Sequence, residues 1–149
     1  MTPDQKAAVL EVLDLGKDVT VATLREDGYP QATTVSFVHD GLTIYFGCGA
    51  DSQKARNIRR SDKVSVKVDL PYEKWSEIRG LSLGGRAQIV DDPDEIERVF
   101  QAMLERFPEL AAFAENADPT QMAVVRVRPE VISLLDYRRG FGHTEVIEV

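Results

Sequence analysis

The 149-residue sequence has one cysteine, two histidines and one tryptophan, and each scarcity closes off a class of protein. A single thiol, Cys48, cannot form an internal disulfide, which fits a reducing compartment. One cysteine with His39 and His143, all far apart, cannot make a standard four-ligand zinc site of nitrogen and sulfur. No apolar run approaches the ~20 residues needed to span a bilayer. Met1-Thr2-Pro3-Asp4-Gln5 lacks the basic and then apolar regions of a signal peptide, so the expected location is cytoplasmic, with no membrane partner. Positive charge is also short: 25 acidic against 18 basic residues give a net charge of -7. General nucleic-acid binding wants a strongly basic face, so no nucleic-acid partner is expected. There is no internal repeat, linker or low-complexity segment. What remains has the composition of an ordinary globular protein, 43% hydrophobic and 29% charged, and reads as a single domain over 1–149 with room for a core.

The order of elements is written in the periodicities. Thr2-Pro3-Asp4-Gln5 opens a helix with a capping box, and Gly16 stops it. Val19 to Leu24, Gln31 to Val38 and Leu42 to Gly47 read as strands, joined by the turns Glu26-Asp27-Gly28 and His39-Asp40-Gly41. Lys63 to Asp69 alternates strictly and is a fourth strand. Ile78 to Val90 is a long strand interrupted at Gly84-Gly85 by a bulge or bend. Asp92-Pro93 starts a helix whose Ile96, Val99, Phe100, Met103, Leu104 and Phe107 line one face. Glu109 to Ala117 is a further short helix. Met122 to Val127 and Val131 to Leu135 are final strands, separated by Arg128-Pro129-Glu130, and the tail from Tyr137 to Val149 is expected on the surface. Six or seven hairpin-connected strands with a few helices, and no βαβ alternation, predict a mainly β fold: a β-barrel or sandwich with appended helices.

Against the acidic background, Lys54, Arg56, Arg59, Arg60 and Lys63 crowd into ten residues. They follow a glycine-rich turn at a helix start, where free N–H groups and the positive dipole end favour an anion such as phosphate. A solvated, charged helix face is the competing reading. Ser52 either donates to a phosphate or caps the helix. Lys54 supplies a point charge or is solvated, and Asn57 reaches the same anion or braces the turn. Gly47-Cys48-Gly49 lacks the third glycine of a dinucleotide fingerprint, which would fall at Ser52. Cys48 reads as a structural thiol. One of the adjacent Thr33 and Thr34 could face a ligand. Trp75 either stacks on a planar ring or staples its loop to the barrel. His143 is assigned to surface or packing.

Taken in order, Val21-Ala22-Thr23-Leu24, Gly28-Tyr29-Pro30, Thr33-Thr34-Val35, Ile44-Tyr45-Phe46, Ser52-Gln53-Lys54-Ala55-Arg56-Asn57-Ile58, Val64-Ser65-Val66, Gly85 to Val90 and Val125-Arg126-Val127-Arg128-Pro129 carry a resemblance. Over about residues 5–137 the chain resembles the FMN-binding split β-barrel family typified by pyridoxamine 5'-phosphate oxidase. The resemblance implies a six-stranded antiparallel split barrel, a homodimer with FMN in grooves at the subunit interface, and flavin-mediated oxidoreductase chemistry on a small-molecule substrate. It implies that Thr33, Thr34 and Val35 lie along the flavin and ribityl chain, that Phe46 and Gly47 touch the cofactor, and that Ser52, Gln53 and Lys54 hold its phosphate. Trp75 would come from the partner chain. Pyridoxamine 5'-phosphate oxidases usually carry arginine at the positions of Thr33 and Gln53 and lysine at that of Val38. Their C-terminal Trp- and Arg-bearing segment has no counterpart in Tyr137 to Val149, and one extra residue stands between Gly47 and Ser52. The expectation is therefore an FMN protein with another substrate. The alternatives are a deazaflavin-dependent reductase of the same fold and a non-enzymatic flavin or haem binder, haem requiring His39 or His143 as axial ligand.

Overall fold

The computed structural model describes all 149 residues. Helix α1 (Pro3–Leu15) begins with the full capping box: the Thr2 side chain accepts from Gln5 N, and the Gln5 side chain accepts from Thr2 N. Strands β1 (Asp18–Leu24) and β2 (Pro30–Ser36) form the first hairpin. Its turn glycine, Gly28, sits at φ 90°, a conformation that side chains with a Cβ resist. Strand β3 (Val38–Asp40) pairs with β4 (Thr43–Gly49). Helix α2 (Gln53–Arg60) follows, and then β5 (Lys63–Asp69), whose valines are buried while its Lys, Ser and Asp residues are exposed. After a loop containing a single 3-10 turn at Trp75–Glu77 come β6 (Arg79–Ile89), α3 (Pro93–Arg106), α4 (Leu110–Ala114), β7 (Met122–Asp136) and β8 (Thr144–Glu148).

All eight strands join one antiparallel sheet in the order β2-β1-β5-β6-β7-β4-β3, with β8 on the far half of β7. The strands β2 and β3, neighbours in sequence, lie at opposite ends of that order. Only Phe37 separates them, so the chain itself ties the two sheet edges together and the sheet must curl. Phe37 is fully buried, and the main core inside the curl includes Val19, Val21, Ile44, Phe46, Val66, Leu81, Val125 and Ile132. A smaller cluster of Val38, Tyr45, Val90 and Val99 seats α3 on the outer face.

Three sequence expectations change. The segment Arg128-Pro129-Glu130 does not divide two strands: β7 runs through it, because Pro129 faces Gly85 where the β6–β7 register shifts. A missing N–H costs little where the ladder is already broken. The tail is not merely surface, since β8 pairs with β7 and buries Ile147. His39 and Asp40 belong to β3 rather than a turn. These changes raise the strand number to eight, within the same split-barrel class.

The bulge explains its glycine. A Cβ on Gly85 would stand 2.5 Å from Arg128 O and 3.2 Å from Pro129 Cα, both backbone atoms, whereas on Gly84 it would meet only Val131 Cγ1 at 3.3 Å. Gly85→Ala should therefore destabilise the fold by about 1–3 kcal/mol, the range for forced overpacking. Gly84→Ala should cost clearly less, and urea denaturation of the pair is the check.

Candidate functional site

The split is where two strand edges stay unpaired. Strand β2 pairs only with β1, and β3 covers β4 only from Thr43 to Tyr45, so Phe46–Gly49 has β7 on one flank and no strand on the other. Strands β2 and β4 approach one another across this gap. Backbone N–H and C=O groups along both edges are thus available to a ligand.

Pairing fixes which side chains look inward. Thr33 and Val35 lie opposite the buried Val21 and Val19 and share their face. Thr34 falls on the other face and is exposed. Thr33 Oγ1 is buried and has no hydrogen-bond partner. Such a hydroxyl costs free energy unless something partners it. On β4, Phe46 is buried in the core beside Cys48, while Gly47 is exposed.

Helix α2 closes one end of the gap, and its polar residues are committed in distinct ways. Ser52 Oγ accepts from Ala55 N at 3.2 Å and donates to Gly49 O at 2.7 Å, which makes it a helix cap. Asn57 is buried; its Nδ2 donates to Thr23 Oγ1 at 3.0 Å and its Oδ1 accepts from Gln53 Nε2 at 2.7 Å. Gln53 Oε1 in turn accepts from Arg56 at 2.9 Å. Arg56, Gln53, Asn57 and Thr23 therefore form one polar chain that fastens α2 to β1. Asn57→Ala should cost about 1–3 kcal/mol of stability by stranding its partners, and should lower FMN affinity far less than the loss of Lys54 does. Chemical denaturation and a flavin titration separate bracing from anion binding at this position.

Lys54 is the exception. Its ammonium is half-buried, makes no ion pair or hydrogen bond, and lies 5.7 Å from the centre of the Phe46 ring. Burial pushes it below the ordinary lysine range, partly offset by neighbouring Cys48. Because Ser52 occupies only Ala55 N, the N–H groups of Gln53 and Lys54 at the helix start have no intrahelical acceptor. A free cation, two free N–H groups and the dipole end converge beside the open edge of β4. This suits a phosphate monoester. The orphaned Thr33 hydroxyl on β2 suits the polar chain of such a ligand.

Trp75, expected at the site, and His39, a ligand only under the haem alternative, have partners of their own in the single chain. Trp75 is 70% exposed and packs on Phe141 at 5.9 Å between ring centres, with Tyr137 at 5.4 Å from Phe141 on the other side. His39 is bound at both ring nitrogens, to Asp14 Oδ1 at 2.7 Å and to Gly41 O at 2.9 Å. No sequence motif singles out Arg25 and Asp27, whose hairpin turn forms with Gln53 an open cleft of about 390 Å³.

The sequence model of the family described as Pyridoxamine 5'-phosphate oxidase matches residues 6–136. The chain belongs to that family. General stress protein 26 of Bacillus subtilis is 27% identical to it over 133 residues, 89% of each chain. A conserved hypothetical protein from Mycobacterium tuberculosis superposes with a TM-score of 0.78 at 27% identity, over 99% of this chain and 92% of the other. A heme binding protein from Mycobacterium smegmatis shares the fold, with a TM-score of 0.81 at 19% identity over 99% of this chain and 59% of that one. No helix is long and apolar enough to cross a membrane.

Proposed function

We propose that this family member is an FMN-dependent oxidoreductase that acts on a small molecule as a homodimer, with the flavin phosphate at Lys54. The observation that carries the reading is the half-buried, unpaired Lys54 ammonium at the start of α2. An unneutralised cation removed from water is costly on its own and favourable beside a dianion. Bound FMN would supply the hydride chemistry. The chain's own residues would do the rest. Lys54 and the first N–H groups of α2 would hold the phosphate, and Thr33 would donate to or accept from the ribityl chain. The apolar faces of Val35 and Phe46 would keep water from that side of the groove. Ser52, Gln53 and Asn57 would hold the helix so that Lys54 stays aimed.

The test is the absorbance spectrum of the purified protein, with any released ligand identified by mass, followed by titration with FMN. A yellow protein that releases FMN, or an apoprotein that takes up one FMN per chain, is expected. Failure of both removes the proposal. Stronger uptake of a deazaflavin in a parallel titration would reassign the cofactor within the same site. The Mycobacterium smegmatis neighbour motivates a haem reading. Its axial ligand would have to be His143, since both nitrogens of His39 are engaged. A Soret band abolished by His143→Ala would favour that reading over ours.

A further inference from the structure

Helix α2, Gln53 to Arg60, carries four cations and no acid. Arg59 and Arg60 in the last turn suit the helix dipole, whereas Lys54 opposes it at the N-terminal end. Arg56 repels Arg59 and Arg60, which stand three and four residues away on the same face, at a few tenths of a kcal/mol per pair. None of these three arginines makes an ion pair, and they stand together in one helix, whereas the other unpaired arginines, Arg98, Arg106 and Arg128, are scattered along the chain.

The three guanidiniums are nevertheless held in place. Arg56 donates to Asp51 O, Arg59 to Ala50 O at 2.7 Å, and Arg60 to Leu24 O. A backbone carbonyl fixes the fork but neutralises no charge, and each exposed guanidinium keeps further N–H donors for a ligand. Arginine side chains normally lose about 2 kcal/mol of rotamer entropy when a ligand orders them. Here part of that loss has already been taken in the free protein. A merely solvated basic face would leave these chains loose.

We infer that the exposed Arg56–Arg59–Arg60 face is a second anion site, which binds the diphosphate or triphosphate of a nucleotide. Three forks within about one helical turn match adjacent phosphoryl groups better than they match an isolated charge. The nucleoside would enter the neighbouring cleft lined by Arg25, Glu26, Asp27 and Gln53, which offers hydrogen bonds to a sugar. The phosphates stay on the helix face, because Asp27 neutralises Arg25 at 3.0 Å and Glu26 would repel them. Arg60, fastened to Leu24 O beside the hairpin turn, joins the face to the cleft. This site stands whether or not Lys54 binds a flavin.

Isothermal titration of the full chain with inorganic pyrophosphate, ADP and adenosine tests it. Pyrophosphate and ADP should bind with an affinity that falls steeply with salt, and adenosine alone should not. Tighter binding of ADP than of pyrophosphate identifies a nucleotide; equal affinities identify a free diphosphate held by the same forks. The double variant Arg56→Gln/Arg60→Gln should weaken pyrophosphate by about tenfold or more, the scale of two charge-assisted contacts, and change FMN affinity far less. Lys54→Ala should do the reverse. Asp27→Asn, which removes a negative charge beside the site, should tighten pyrophosphate binding, a gain that misfolding cannot produce. Absence of pyrophosphate binding at millimolar ligand, undiminished affinity in the double variant, or no tightening in Asp27→Asn would each overturn the inference. Absence of FMN uptake by the parent chain, with its pyrophosphate binding intact, would remove the flavin reading alone.

Discussion

Replacing Lys54 with alanine should weaken FMN binding by about 10- to 150-fold, the equivalent of roughly 1.5–3 kcal/mol for a hydrogen bond to a charged group. The expectation rests on how the neighbours are committed. Ser52 is spent on the cap, and Gln53 and Asn57 are spent on each other and on Thr23 and Arg56. Of the side chains from Ser52 to Asn57, Lys54 alone is both half-buried and free of any hydrogen bond, and Arg56 is exposed and fastened to Asp51 O and Gln53 Oε1. Lys54→Ala should therefore act on the cofactor almost alone, and flavin fluorescence titration reads it directly. A change smaller than about threefold would mean that the phosphate lies elsewhere.

The same lysine makes a prediction about the empty protein. Burial lowers its folded-state pKa, so charging it costs more in the fold than in the unfolded chain. That penalty is fully present below the lowered folded-state pKa. It fades as pH rises through the lowered value. Lys54→Met should leave the apoprotein at least as stable as the parent while impairing FMN uptake, an opposition expected of a residue kept for binding. With FMN bound, the dianion restores the charged form. The parent's affinity should then decline at alkaline pH as the free protein loses the Lys54 proton, and Lys54→Met should lack that decline.

What could be read from the sequence was whatever a local pattern dictates. The capping box at Thr2 and Gln5 sets α1, the Asp92-Pro93 pair sets α3, and the strict alternation of Lys63 to Asp69 sets β5 with its buried valines. What could not be read depends on distant partners. Strand β8 is five residues long, with Val146 exposed and Ile147 buried, and it exists because β7 continues past Pro129 to receive it. That continuation needs the bulge at Gly84/Gly85, on another strand. His39 and Asp40 precede the turn glycine Gly41 and read as turn residues, but they pair with Ile44 and Thr43 across the β3–β4 hairpin. The site divided along the same line. The Ser52 to Asn57 segment announced a helix start near an anion, but only the folded chain shows which of its polar groups are spent. The buried, partnerless hydroxyl of Thr33 likewise appears only once β2 is laid against β1.

The largest stability change should come from Phe37→Ala. Phe37 is fully buried and is the sole residue between β2 and β3, which occupy opposite ends of the sheet order. The Arg106 guanidinium covers its ring at 4.7 Å while donating to Gly16 O at the end of α1. One aromatic ring thus packs where the two sheet edges, the exit of α1 and the end of α3 meet. Its removal leaves a cavity that those elements cannot fill without opening the curl. A buried Phe→Ala change costs about 3–5 kcal/mol, and loss of the cation–π contact adds about 0.5–1 kcal/mol. For a chain of this size the thermal midpoint should fall by roughly 7–24 °C. Phe113→Ala, at an exposed ring on α4, should stay within about 0.5 kcal/mol. The functional consequence follows from the position of Phe37 one residue beyond β2, the strand that carries Thr33 and Val35. A slackened junction loosens one wall of the groove before the sheet melts. FMN affinity in Phe37→Ala should therefore fall at temperatures where circular dichroism still reports a folded protein. Parallel melting curves of fluorescence-detected flavin and of the sheet signal would show it. Coincident curves, or a stability loss below about 1 kcal/mol, would mean that the two edges are held together by something other than this ring.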